Sequence, residues 1–90
     1  MRAVITVAGK DRVGIIANVT QTLAQQNVNV LDITQTILPP DFFTMVMLVE
    51  AEACKIPFGD LADQLATLGT QMGLAIHAQR EDTFQAMHRI

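Results

Sequence analysis

A charged segment between two glycines, residues 9–14 (GKDRVG), separates two kinds of apolar pattern near the start of the chain. Before it, Ala3–Ala8 is an apolar run rich in β-branched residues, which predicts a central strand over Arg2–Ala8. After it, Ile15, Val19 and Leu23 recur every four residues, which predicts a helix over residues 14–26. The segment is therefore a predicted strand-to-helix loop. The free N–H groups of a first helical turn favour a carboxylate or phosphate there.

The remaining chain divides into three further strands and two helices. Alternation predicts strands over 28–38 and 42–51, joined by a turn at residues 39–41 (PPD). A helix is predicted from Pro57 to a stop at Gly73, because apolar residues step by three and four along it. Those residues are Phe58, Leu61, Leu65, Leu68 and Met72. A strand over 74–80 and a short helix capped by Asp82 or Thr83 complete the chain.

The order β-α-β-β-α-β predicts an α+β fold, the ferredoxin-like sandwich, with two helices on one face of a four-stranded antiparallel sheet. Right-handed crossovers give the strand order 4-1-3-2. Ninety residues make a single domain, 1–90, with a core over 3–80 and a C-terminal helical extension over 82–90.

The sheet face away from the helices is predicted to be too apolar for a freely solvated surface. Alternation assigns to it Val4, Thr6, Val30, Thr34, Thr36, Thr44, Val46, Leu48 and His77. Phe84 and Met87 of the last helix, or a second copy of the chain, are expected to cover part of it. We therefore predict a homodimer.

Composition argues against several classes of partner and compartment. The net charge is −3 and the six basic residues are scattered, so no nucleic acid is expected. Apolar runs are too short for a membrane helix, and no signal peptide is visible, so no membrane partner is expected. The single cysteine, Cys54, excludes an intramolecular disulfide and fits a reducing cytoplasm.

The residues offer no arrangement typical of catalysis. The glycine spacing of the loop resembles a P-loop, but Ile15 and Ile16 stand where Lys and Ser or Thr are needed. His77 and His88 are not spaced as metal ligands, Cys54 has no basic partner nearby, and the chain has no serine. No catalytic residue, metal or cofactor is predicted, and we expect a protein that is not an enzyme.

Residues 9–37 (GKDRVGIIANVTQTLAQQNVNVLDITQTI) resemble the first half of an ACT domain, a small ligand-binding regulatory module that often binds amino acids. The G-K-D-R-x-G-I form is similar to small stand-alone ACT proteins. It also resembles the N-terminal regions of formyltetrahydrofolate deformylase and the glycine cleavage system regulator. The resemblance extends to a C-terminal F-x-A-M-x-x-I ending, residues 84–90.

The resemblance implies pairing of two domains, side by side or face to face, with a small-molecule effector at their interface. The ligand-binding residues it implies are Lys10, Asp11, Arg12, Val13, Gly14, Ile15 and Asn29. Loop N–H groups would hold an effector carboxylate, and Asn29 or Asp11 its ammonium. Val7 and Gly9 stand where the serine-sensing dehydrogenases carry His and Asn, so the resemblance does not extend to serine. The output implied is contact with an enzyme or regulator.

Three alternatives stay open at this point. Asn29 is also a common turn residue after a helix, and the loop charges can be solvated without binding anything. The chain can be a protein interaction module without a ligand. It can also be an acylphosphatase-like hydrolase, for which Arg12 with Asn29 or Asn18 are the only candidates.

Overall fold

Seven elements follow one another along the chain in a computed structural model that describes the backbone of residues 1–87 and the side chains of residues 1–84. They are β1 (Arg2–Lys10), α1 (Ile15–Gln25), β2 (Asn29–Leu38), β3 (Phe42–Glu50), α2 (Phe58–Met72), β4 (Leu74–Arg80) and α3 (Glu81–Met87). The order confirms the ferredoxin-like α+β fold. Residues 88–90 of the predicted extension, and the predicted contacts of Met87, lie outside the described residues.

The four strands form one antiparallel sheet in the order β2-β3-β1-β4, which is the predicted order. The central strand β1 pairs with β3 from Arg2↔Glu50 to Lys10↔Phe42. On its other side β1 pairs with β4, from Ala3↔Arg80 to Gly9↔Leu74. The strands β2 and β4 are therefore the two edges of the sheet. Within residues 1–87, no helix has the length and apolar character to cross a membrane.

The core lies between the two long helices and one face of the sheet. From α1 it takes Ile15, Val19 and Leu23, and from α2 it takes Leu61 and Leu65. The sheet contributes alternate residues of β1 and β3, namely Ala3, Ile5, Val7, Phe43, Met45, Met47 and Val49. Each fully buried aliphatic side chain contributes about 1.5–3 kcal/mol through removal from water. The periodicity read from the sequence thus identifies the core-facing residues.

Glycine and asparagine residues end the helices where left-handed backbone is needed. Gly73 follows α2 with φ of 72°, and Asn27 follows α1 with φ of 62°. The predicted stop at Gly73 is confirmed. The start of α1 is one residue later than predicted, because Gly14 has φ of 93° and lies outside the helix as its N-cap. Pro57 likewise precedes α2 as its N-cap.

Gly69 lies inside α2 because the helix approaches β4 too closely for any side chain. A Cβ atom there would lie 2.7 Å from the backbone oxygen of Leu74 and 3.0 Å from Cγ1 of Ile76. The intrinsic cost of a glycine inside a helix, about 1 kcal/mol, is therefore offset by close packing of α2 on β4.

A β-bulge in β2 corrects one expectation about the faces of the sheet. Val30 pairs with Val49, but the next pair is Asp32 with Leu48, so Leu31 is inserted between them. Because Val49 faces the helices, Val30 also turns to that side and packs against the core. The prediction that Val30 lies on the face away from the helices is wrong, because simple alternation does not allow for the extra residue.

Beyond the bulge, alternation along β2 and β3 agrees with the pairing. Thr34 pairs with Val46 and Thr36 with Thr44, all on the face away from the helices. The α3 helix packs against β1 and β4, and Val4 on this face is only 7% exposed. On the β2–β3 half, Leu38, Phe42 and Val46 remain 43–47% exposed, and we call these three residues the open-face patch.

Candidate functional site

The charged loop leaves β1 at Lys10 and enters α1 through Gly14. At the start of the loop, the backbone of Gly9 packs closely on Leu74. A Cβ atom at Gly9 would lie 2.7 Å from Cδ2 of Leu74. The backbone N–H of Asp11 donates a 2.7 Å hydrogen bond to the carbonyl oxygen of Asp41, in the turn between β2 and β3. The loop is therefore held between two turns at the same end of the sheet, one on each side of β1.

The first turn of α1 keeps its backbone N–H groups free of side-chain caps. Gly14 is the N-cap and makes no side-chain capping hydrogen bond, and the first turn contains no acidic residue. Asn18 instead donates from Nδ2 to the carbonyl oxygen of Gly14 at 2.7 Å. The N–H groups at the start of α1 remain able to donate hydrogen bonds to an anionic group, and the positive end of the helix dipole favours its negative charge.

A cavity of about 260 Å³ lies at this helix end, and we call it the inner cavity. Its lining combines the start of α1, two charged loop residues and two residues of the sheet. It comprises Asp11, Arg12, Gly14, Ile15, Ile16, Ala17, Gln35 and Phe43. Four of the seven residues predicted as ligand-binding are among them: Asp11, Arg12, Gly14 and Ile15.

A second cavity lies on the other side of Asp11 and Arg12, and we call it the outer cavity. It has a volume of about 480 Å³ and is lined by Lys10, Asp11, Arg12, Met72 and Gly73. The guanidinium of Arg12 donates from Nη1 to the carbonyl oxygen of Met72 at 3.5 Å, at the C-terminal end of α2. Lys10, the fifth of the predicted residues, therefore lines the outer cavity and not the inner one.

The remaining two predicted residues lie apart from both cavities. Val13 is 97% exposed at the tip of the loop. Asn29 pairs with Glu50, whereas the loop lies beside Phe42 at the other end of β3. Eight residues of strand separate those ends, about 27 Å at the usual rise. Asn29 lines a separate cavity of about 240 Å³ with Ala24, Asn27 and Val28. Within one chain the structure does not bring Asn29 to the loop.

Gln35 is a residue of the inner cavity that the sequence interpretation did not select. It follows Ile33 and precedes Ile37 on the helix-facing side of β2. One polar residue in an otherwise apolar alternation is the signal that could have identified it. Phe43, which pairs with Ile37 on the neighbouring strand, also lines the inner cavity.

An apolar strip runs along β2 next to the inner cavity. It consists of Leu31, Ile33 and Ile37, which are 40–47% exposed, and we call it the β2 strip. Ile16 of α1, at 36% exposure, lies at the cavity itself. Every residue of β2 from Leu31 to Leu38 is exposed, so neither helix covers this edge of the sheet.

A third groove, between α1 and α2, has a volume of about 390 Å³ but a different chemistry. Its lining is mostly neutral and polar, with Asp63 as its charged residue. Gln26 reaches across to Gln64, with 3.4 Å between Nε2 and Oε1. Because no cation lines this groove, it is less suited to a carboxylate than the two cavities at the loop.

The shifted pKa values belong to groups at the far end of β1, away from the loop. The amino group of Met1 lies 2.8 Å from Glu50 and 2.7 Å from Glu52. Its hydrogen bond to Glu50 raises the pKa of this amino group, and the same contact lowers the pKa of the Glu50 carboxyl. Among residues 1–84, no polar or charged side chain is buried, and no three potential metal ligands cluster.

Comparison with known proteins gives one family over nearly the whole chain. The family model described as ACT domain matches residues 2–79. A UPF0237 protein of Methanopyrus kandleri is 44% identical over 89 residues, covering 99% of this chain and 98% of that protein. The solved structure of an ACT domain protein from Streptococcus pneumoniae is 35% identical, with a TM-score of 0.81 and 94% of each chain covered.

Two larger proteins contain a similar domain. A putative glycine cleavage system transcriptional repressor is 26% identical with a TM-score of 0.72, over 87% of this chain and 44% of that one. A formyltetrahydrofolate deformylase from Pseudomonas syringae is 20% identical with a TM-score of 0.79. The match covers 88% of this chain but only 27% of the deformylase, so it shows likeness of fold to one part of that enzyme.

Proposed function

This chain belongs to the ACT domain family, and on that premise we propose that it is a cytoplasmic regulatory protein that senses a small molecule, in the first instance an amino acid. We propose further that it works as a homodimer and catalyses no reaction. The observation that carries the proposal is the position of the inner cavity beside the exposed β2 strip. A cavity bordered by an uncovered apolar strand is open on the side where a second subunit would pack.

The dimer we propose pairs the β2 strands of two copies in antiparallel fashion. An exposed edge strand presents unpaired N–H and C=O groups, and proteins usually protect such edges with lysine, proline or a short length. Here β2 has ten residues, contains neither lysine nor proline, and carries Asp32 as its charged residue. A second copy would satisfy the backbone groups and bury the β2 strip by the same two-fold contact.

The antiparallel arrangement also gives Asn29 a role. Asn29 begins β2, whereas the loop lies beside the end of that strand. Pairing two β2 strands in opposite directions brings the start of one towards the end of the other. The site would then combine the loop of one subunit with Asn29 of the partner subunit, and each dimer would have two such sites.

The chemistry follows from the groups that line the inner cavity. An effector carboxylate would accept hydrogen bonds from the free N–H groups of the first turn of α1. Asp11 and Asn29 of the partner subunit would bind the ammonium group, and Gln35 would contact the effector side chain. Because the effector contacts both subunits, its binding would favour one dimer arrangement over others. That change would be transmitted to a partner enzyme or regulator.

A thermal-shift screen of the full chain against the twenty amino acids tests the sensing function. A ligand that binds only the native state raises the melting temperature. We expect at least one amino acid to do so in the wild type and to lose the effect in Asp11→Ala. Asp63→Ala, in the groove between the helices, serves as the matched control. A flat screen with an intact dimer would contradict sensing of amino acids and favour a protein interaction module.

Mixed dimers test whether the site is shared between subunits. Asp11→Ala and Asn29→Ala homodimers should each bind poorly. In a heterodimer of the two variants, one site carries both substitutions and the other carries neither. We therefore expect binding to return at half the wild-type stoichiometry. If the heterodimer also binds poorly, Asn29 does not act at the loop of the partner subunit.

A further inference from the structure

The outer cavity is not explained by binding of a single carboxylate at α1. It lies between the loop and the turn that joins α2 to β4, on the far side of Asp11 and Arg12 from the inner cavity. Those two residues line both cavities, so the two spaces adjoin. The space beside Gly73 in the outer cavity is unfilled, because a Cβ atom there would have no described atom within 4 Å.

The charges in the outer cavity favour a negatively charged group. Lys10 and Arg12 both line it, and among the side chains of residues 1–84 Asp11 is the only carboxylate that lines either cavity. The side chain of Lys10 makes no hydrogen bond or ion pair with any of the described residues. Arg12 makes only the 3.5 Å contact with the carbonyl of Met72, which is long for a hydrogen bond. Although the net charge of the chain is −3, these two exposed basic side chains have few partners and are available to bind an anion.

The geometry points to an effector with two anionic groups, such as an acidic amino acid. One carboxylate would lie at the first turn of α1 in the inner cavity. The second would enter the outer cavity and bind Lys10 and the guanidinium of Arg12, displacing the latter from Met72. A guanidinium binds a carboxylate through two parallel N–H donors, which is stronger than its contact with a neutral carbonyl. This inference rests on the proposed function and specifies its ligand class.

A matched set of ligands tests the inference on the full-length chain. Glutamate and glutamine have the same shape and differ in the charge of the side chain, as do aspartate and asparagine. We expect glutamate or aspartate to bind at least about tenfold more tightly than its amide, and more weakly at ~200 mM than at ~20 mM NaCl, because exposed charges are screened. Calorimetry measures both affinities. Glutarate lacks the ammonium group that Asp11 is proposed to bind. Weaker binding of glutarate than of glutamate is therefore the result expected if Asp11 contributes.

Three variants connect the affinity to the outer cavity. Lys10→Gln and Arg12→Gln should each reduce the preference for glutamate over glutamine. Lys55→Gln removes an exposed lysine that lines neither cavity, and it should leave the preference unchanged.

The outcomes separate this inference from the proposed function. Tighter binding of a neutral amino acid that depends on Asp11 would overturn the dianionic ligand and leave the sensing function intact. A preference for glutamate that survives in both loop variants would also overturn it. Absence of binding by any amino acid would contradict the proposed function and, with it, the ligand class.

Discussion

The two edge strands of the sheet are completed in different ways. On one edge, β4 has seven residues, buries Leu74 and Ile76, lies against α2 through Gly69 and continues directly into α3. On the other edge, β2 has ten residues, and all of them from Leu31 to Leu38 are exposed. Two helices of the chain, α2 and α3, therefore pack against the edge strand β4. The other edge, beside the inner cavity, leaves Leu31, Ile33 and Ile37 exposed.

The largest effect is expected from breaking the β4 edge. In Gly69→Ala the new Cβ atom would lie 2.7 Å from a backbone oxygen, which cannot move without shifting β4. Overpacking of this kind costs about 1–3 kcal/mol, which corresponds to a melting temperature lower by ~10 °C in a domain of this size.

Gly59→Ala is the control for that experiment, because it lies in the same helix with no atom within 4 Å of an added Cβ. For Gly59→Ala we expect no loss of stability, and the free energy of unfolding should rise by up to about 1 kcal/mol because alanine has the higher helix propensity. Equal melting temperatures for the two variants would show that α2 is not held closely on β4.

The next effect concerns assembly through the β2 edge. Ile33→Glu places a charge in the β2 strip, whereas Val46→Glu places the same charge in the open-face patch. The two side chains are similarly exposed, at 40% and 45%. We expect light scattering to give a monomer mass for Ile33→Glu and a dimer mass for Val46→Glu. The opposite result would move the interface to the open face and disprove strand pairing.

A smaller effect distinguishes the two left-handed glycines on either side of Arg12. Gly14 has φ of 93°, and a Cβ atom there would lie 3.2 Å from Nδ2 of Asn18. Gly73 has φ of 72° and open space around it. Each substitution by alanine should cost about 1 kcal/mol in backbone strain, with Gly14→Ala the more costly of the two. Gly14→Ala should also abolish a ligand-induced thermal shift, because it alters the N-cap of α1 at the inner cavity. Gly73→Ala should only weaken that shift, because the added Cβ atom narrows the outer cavity. Equal ligand-induced shifts in the two variants would contradict this difference between the cavities.

The smallest effect is the pH dependence of the contact between Met1 and Glu50, at the end of the two central strands away from the loop. The pKa of Glu50 is lowered, so its contribution is present above the ordinary carboxyl range and is lost as the pH falls through the folded value. The pKa of the Met1 amino group is raised, so its contribution is lost as the pH rises through its folded value, above 8.0.

Thermal melts of the wild type and Glu50→Gln should therefore differ most near neutral pH. The difference should shrink towards both extremes of pH. It should also be small throughout, because both groups are partly exposed and solvent screens their interaction. A constant difference across the pH range would argue that the two groups do not interact in solution.

The candidate site was only partly accessible from the sequence. The loop from Lys10 to Ile15 was identified because glycines and charges interrupt two apolar patterns, and all of these residues except Val13 line a cavity. Gln35 and Met72 were not, because each is distant from the loop in the chain and reaches it only through strand register or helix packing. The separation of Asn29 from the loop has the same origin.

The sequence by itself determined the elements, their order and the residues that face the core. These depend on periods of 2 and 3.6 residues and on glycine, asparagine and proline at the ends, which are properties of neighbouring residues. Only the tertiary structure decided that Val30 turns to the helices at a bulge, that Gly69 permits contact between α2 and β4, and that two cavities adjoin at Arg12. Each of these depends on distances between residues far apart in the chain, and local patterns do not specify such distances.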